Sequence, residues 1–274
     1  MIDILRLLNV CKFVDNETKF ELNDIKSISN INLKRRNVCI FMHGTSGFSK
    51  NCINYMKMLH KLGFFIIAPH HVSYHHYLCN IHKKKKICGQ DIKYTTTNYF
   101  AKRHKLLYSY IAYFRKLEVE YCFGYFKKKL NLKNTILLGV SEGAIAVSLC
   151  RISGITKFIC SYSIERNYFT QKFPVIFTSK KQKIVQIIGT HDEFFGPESI
   201  SSSLSNQIEG NGKCTFAKYK INNYHIYLLK GQTHSLLVTM RNCKLLSNII
   251  YSHFGARQNR ISPKLATLYF KISG

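Results

Sequence analysis

The 274-residue sequence predicts an α/β chain built on a doubly wound, mostly parallel sheet flanked by helices. Three observations predict it. Six short runs, at residues 38–42, 64–68, 135–140, 157–162, 184–188 and 225–229, are nearly continuous in apolar character, as strands covered on both faces are. Helix-like stretches alternate with them. No internal repeat, Gly/Ser linker or Pro-rich segment divides the chain, so residues 1–274 read as one domain.

Between the first two runs, residues 49–62 place Ile53, Met56 and Leu59 on one stripe, with Ser49 as N-cap and Gly63 as the C′ stop. A long helix is expected over 101–130, interrupted near Gly124, and a last one over 235–250. Residues 70–100 show no periodicity. They hold Lys83 to Lys86 and the histidines His70, His71, His75, His76 and His82. A loop this long shapes function when it leaves the C-terminal end of a strand, where open α/β sheets bind ligands. Tyr74, Tyr77, Tyr94 and Tyr99 are candidate pocket walls. No Cys/His spacing in the chain matches a structural zinc site, and neither metal nor cofactor is expected.

Composition narrows the class. With 46% hydrophobic and 20% charged residues, wholesale disorder is excluded. No apolar run approaches the roughly 18 residues of a membrane span, so no transmembrane segment is expected. Met1-Ile2-Asp3 opens without a basic region or long apolar stretch, and the chain ends Lys-Ile-Ser-Gly. Secretory, myristoylation and prenylation signals are therefore not expected, and the protein is placed in the cytoplasm. The net charge of +27 suits anionic surroundings. Its lysines are scattered, however, and no Arg-rich or Gly-aromatic signature accompanies them, so specific nucleic-acid binding is not expected. Ten cysteines without a C-x-x-C pair, several inside apolar runs such as Val38-Cys39-Ile40, read as reduced, buried thiols.

Four elements carry chemistry. Gly139-Val140-Ser141-Glu142-Gly143 lies between an apolar run and a helix of small apolar residues. Two glycines there permit a sharp turn that exposes the serine hydroxyl and aims the Glu142 N–H as an oxyanion donor. His43-Gly44-Thr45-Ser46-Gly47 follows the first run, and the Thr45 N–H is the candidate second donor. Asp192 ends the 184–188 run and suits the acid that orients an imidazolium. His234 follows the last run and is the candidate base; His191, adjacent to the acid, is not. Arg115 and Glu118, three apart on the long helix, suit a structural ion pair. Lys127 to Lys129, at that helix's end, favour its dipole.

With these elements in order, the chain resembles the α/β-hydrolase superfamily, and within it the small dienelactone-hydrolase-like serine hydrolases. The resemblance covers residues 37–254. It implies an eight-stranded sheet, Ser141 as nucleophile, Asp192 as acid, His234 as base, and Thr45 and Glu142 as oxyanion donors. The activity implied is cleavage of a small-molecule carboxylic ester through an acyl-enzyme. Acyl-thioester cleavage, of the protein-depalmitoylase or acyl-CoA type, and a non-catalytic scaffold are the alternatives. True dienelactone hydrolases carry a cysteine where this chain has Ser141. The 162–183 connection is too short for a large lid.

Overall fold

Alternate side chains of each central strand must find different neighbours when both faces of a sheet are covered, and this chain supplies them. The structure, a computed structural model, describes residues 9–13, 20–24, 32–44, 47–70, 98–164, 182–195, 223–238, 240–254 and 271–272. In β3 (Asn37–Met42), Val38, Ile40 and Met42 join one core layer while Cys39 and Phe41 join the other. Each layer is closed by helices. One is formed with α2 (Asn98–Phe126) and α3 (Glu142–Leu149), the other with α1 (Lys50–Lys61) and α4 (Met240–Phe254). Double coverage explains why these strands read as unbroken apolar runs.

The remaining strands are β1 (Asn9–Phe13), β2 (Phe20–Asp24), β4 (Phe64–His70), β5 (Thr135–Val140), β6 (Thr156–Cys160), β7 (Lys183–Gly189), β8 (Asn223–Leu229) and β9 (Lys271–Ile272). They lie in the order β2-β1-β4-β3-β5-β6-β7-β8-β9. From β4 to β8 every pairing is parallel, whereas β1, β2 and β9 add antiparallel at the edges. The expected fold class, a mostly parallel sheet flanked by helices, is the one observed. The eight strands implied by the resemblance become nine among the described residues, because the two-residue β9 extends the sheet beyond β8. After β3 the chain pairs first on one side, with β4, and then on the other, with β5. The β3/β5 boundary is thus a topological switch point, where the strand ends leave a crevice.

Local corrections have local causes. The first expected helix is α1, with Ser49 in the N-cap position accepting the Ile53 N–H at 2.9 Å through its carbonyl, and Gly63 closing it at φ +81. No break occurs near Gly124; α2 runs to Phe126. One exposed glycine costs a helix about 1 kcal/mol, which the burial of Val119, Cys122 and Phe126 outweighs. Lys127–Lys129 form a separate 3-10 turn. The expected strand at 157–162 ends at Cys160, because Ser161 turns out of the sheet at φ +55. The last helix starts only at Met240, since Leu237 at φ −97, ψ 45 breaks the turn before it. Residues 71–97, with Lys83 to Lys86, four of the five loop histidines and three of the four loop tyrosines, lie outside the described residues, as does most of the 162–183 connection.

Candidate active site

Ser141, Glu142, Asp192 and His234 converge at the C-terminal ends of β5, β7 and β8, beside the His43–Gly44 turn that follows β3. All six residues of β5 are buried, and the chain leaves it through Ser141 at φ 56, ψ −118. A non-glycine residue held there stores roughly 1–3 kcal/mol of strain. Packing over-determines the turn. A Cβ at Gly139 would overlap the Gly143 carbonyl, and one at Gly143 would overlap the Met42 and His43 carbonyls, so both positions require glycine. The Ser141 N–H donates to the Cys160 carbonyl at 2.9 Å, while the Ser141 carbonyl accepts from Ala144 and Ile145 to start α3. Glu142 is the first residue of that helix, so its N–H has no intrahelical acceptor and sits at the positive end of the dipole.

The Ser141 Oγ lies 2.9 Å from Nε2 of His234, and Nδ1 of His234 lies 2.8 Å from Oδ2 of Asp192. Asp192 is fully buried. Its other oxygen, Oδ1, accepts the N–H groups of Phe194 and Phe195, both at 2.9 Å, so the carboxylate is satisfied on both sides. Phe194 and Phe195 also pack on the His234 ring, with centroids 4.8 and 5.8 Å away.

The loop carrying His234 is fixed from several directions. The Ser161 hydroxyl donates to the His234 carbonyl at 2.7 Å, and the His234 N–H donates to Oε2 of Glu193 at 3.1 Å. Asn242 of α4 donates to the Gln232 side chain and to the Leu236 carbonyl. Gly189, the last residue of β7, lets this loop cross directly over it. A Cβ at that position would overlap the Gln232 carbonyl.

The Ser141 side rests on a buried charge pair. Arg115 of α2, 1% exposed, donates through Nη1 to Oε1 of Glu142 at 2.7 Å and through Nη2 to the His43 carbonyl. The guanidinium is thus turned to Glu142, correcting the expected pairing with Glu118. Glu142 sits on another helix, and helical spacing carries no information about such a partner. Removing one member of a buried pair costs about 3–5 kcal/mol, because the other is left charged and uncompensated. Nearby, the Gly44 N–H points at the sulfur of Cys52, 3.5 Å away. Burial pushes that thiol above its ordinary range, which favours its protonated form.

Of the five singled-out residues, Ser141, Asp192 and His234 form one hydrogen-bonded line, and Glu142 adjoins it. Thr45 lies outside the described residues. His191 is exposed and its N–H donates to the Gln232 carbonyl. Arg115 as the partner of Glu142, Ser161 under His234, and the two phenylalanine amides on Asp192 were not foreseen. Each is a contact between segments far apart in sequence or a main-chain group, and no motif marks them.

No family model matches this chain, and neither does any curated protein. Among solved structures it is similar to a dienelactone hydrolase-like promiscuous phosphotriesterase, P91, from metagenomic libraries (9% identity, 89% of this chain and 97% of that one, TM-score 0.47). It is also similar to the esterase Est2 of Thermogutta terrifontis in its propionate-bound form (12%, 84% and 88%, 0.44). A third similar structure is LpqC, a poly(3-hydroxybutyrate) depolymerase of Bordetella parapertussis (12%, 95% and 94%, 0.43).

Proposed function

We propose that the protein is a serine hydrolase that cleaves carboxylic esters through an acyl-enzyme. The observation that carries this reading is the line Ser141 Oγ–His234 Nε2–Asp192 carboxylate, with both links at or below 2.9 Å. Such a line has the elements of a nucleophile, a base and an orienting acid. With the Nδ1 proton held by Asp192, Nε2 of His234 is free to accept the Ser141 proton. The Ser141 oxygen attacks the ester carbonyl, and the oxyanion that forms is held by the Glu142 N–H at the start of α3. The Thr45 N–H, from the sequence motif, is the proposed second donor. His234 then hands its proton to the leaving alcohol. Water enters, gives a proton to His234 and attacks the acyl carbonyl, and the carboxylic acid leaves as Ser141 recovers its proton.

The test is labelling with a fluorophosphonate followed by peptide mapping, alongside turnover of p-nitrophenyl esters and acyl-thioesters of graded length. Covalent label at Ser141 and ester turnover are expected. A protein that neither labels nor turns over any member of the panel would sink the reading. A strong preference for thioesters would keep the chemistry and change the substrate class.

A further inference from the structure

A full positive charge buried beside a reaction centre costs desolvation energy that an apolar side chain would not. Arg115 is such a charge, and the two residues it binds, Glu142 and His43, are informative; its Nη2 also lies 3.3 Å from Nδ1 of His43. Its Nη1 binds the side chain of Glu142, the residue that follows Ser141 and opens α3. Its Nη2 binds the main-chain carbonyl of His43, at the end of β3. Both segments adjoin Ser141. A Cβ on Gly44 would lie 3.4 Å from the Ser141 Cβ, and Gly143 already rests against the Met42 and His43 carbonyls. The β3–β5 ladder sets the register of the two segments only as far as Met42 and Gly139, and His43 and Glu142 lie beyond it.

We propose that Arg115 is a positioning residue for catalysis: it ties the His43–Gly44 turn to Glu142 and so fixes the Glu142 N–H relative to Ser141. This rests on the serine-hydrolase reading and names a residue that the hydrogen-bonded line does not include. The planar guanidinium suits the task because its two amino groups diverge at a fixed angle, and a lysine could not span both acceptors rigidly. There is an electrostatic side as well. An isolated Glu142 carboxylate so close to a developing oxyanion would raise the barrier, and Arg115 neutralises it. The Glu142 and His43 oxygens that it binds are negative or partly negative, so one group performs the tie and the neutralisation together.

Stability and positioning are separated by three variants. Arg115→Met leaves Glu142 charged and buried, so it is expected to lose both melting temperature and activity. The double variant Arg115→Met/Glu142→Met replaces the pair by apolar groups, which buried pairs often tolerate without loss of stability. Arg115→Lys keeps the charge but not the fork. Active sites are counted by fluorophosphonate titration, so that kcat refers to competent molecules, and p-nitrophenyl acetate is the substrate. If Arg115 positions the donor, the double variant recovers its melting temperature while kcat stays about 30- to 100-fold below wild type with KM little changed. Affinity for a trifluoromethyl ketone, whose adduct carries the oxyanion, falls in parallel with kcat/KM. Arg115→Lys falls between, with its loss again in kcat.

A double variant, or a folded Arg115→Lys, whose titrated kcat and ketone affinity stay within about threefold of wild type would overturn the inference and leave the serine-hydrolase reading standing. Wild-type protein that neither labels at Ser141 nor hydrolyses the ester would overturn both.

Discussion

The two halves of the candidate site are built by different means. The serine half is one contiguous piece, β5, the turn at Ser141 and α3, and its shape follows from glycines and close backbone packing within that piece and against β3. The histidine half joins two loops whose key residues, Asp192 and His234, are 42 apart, and it is held by hydrogen bonds donated by Ser161, Asn242 and two phenylalanine amides and by one accepted by Glu193. Strain is stored in the first half and orientation in the second. The lesson is that the serine is placed by what its neighbours lack, a Cβ at two positions, whereas the histidine is placed by what its neighbours donate and accept.

The largest effect is expected from Ser141→Ala. Removing the nucleophile should lower kcat by about 10⁴-fold or more, with an unchanged fold, because the alanine keeps the same backbone and Cβ. Turnover of p-nitrophenyl acetate and circular dichroism check it; near wild-type turnover would mean that the strained turn serves something other than attack. In the second half, Asp192→Asn should cost about 10³- to 10⁴-fold. The asparagine oxygen can still accept from the Phe194 and Phe195 amides, but its NH₂ then faces Nδ1 of His234 and selects the wrong tautomer. Exposed His191→Ala is the control, expected within a few-fold of wild type, and equal losses in the two variants would erase the distinction between His191 and His234.

A third change probes how rigidly the second half is seated. Gly189→Ala pushes a methyl into the Gln232 carbonyl and should displace the loop that carries His234. A shift of about 1 Å there is worth up to about 100-fold in kcat. Fluorophosphonate labelling should slow with it. Unaltered kinetics in a folded variant would show that the loop has room that the close approach denies.

The smallest effect is one of pH, and it falls on the serine half. Cys39 of β3 and Cys160 of β6 flank β5, while β7 and β8 carry no cysteine. Burial pushes the Cys39 thiol well up and Cys160 up to about 12, and Cys122 of α2 is raised further. A thiol whose folded value exceeds its unfolded one contributes fully below the unfolded value, near pH 8.5, and loses that contribution as pH rises towards the folded value. Each such group removes at most about 1.4 kcal/mol per pH unit in that window. Buried Lys157 is lowered by burial and opposes the trend. Melting temperature under reductant should therefore fall from pH 8.5 to 10.5, less steeply in Cys160→Ala. A flat profile would deny that these thiols stay protonated.

Much of the first half was legible in the sequence because its determinants are local. The turn at Ser141, its glycines and the strand before it occupy consecutive positions, so Ser141 and Glu142 are singled out by reading one segment. Asp192 and His234 are singled out by position: Asp192 closes an apolar run, and only His234 of the twelve histidines lies both after that acid-bearing run and just past the end of a following one. What stayed hidden was tertiary. Arg115 was assigned to Glu118 because helical periodicity couples only residues on the same helix, and its actual acceptors come from α3 and the end of β3. The late start of α4 was likewise invisible, since Leu237 departs from helical angles while Asn54 and Asn51 of α1 bind its carbonyl and amide.

Helix α3 has a consequence for how assembly of the molecule can be followed. Its eight residues are too few for a helix to persist alone in water, and seven of them are buried under α2 and the sheet. The backbone at Ser141 therefore acquires its shape only when β3, β5, β6 and α2 have come together around it. A reagent that reacts at Ser141 would count fully assembled molecules rather than partly folded ones. The chain has 17 tyrosines and no tryptophan, so the usual indole fluorescence is absent. Residual labelling across a urea series would supply that missing signal, and its midpoint should coincide with the loss of helical circular dichroism.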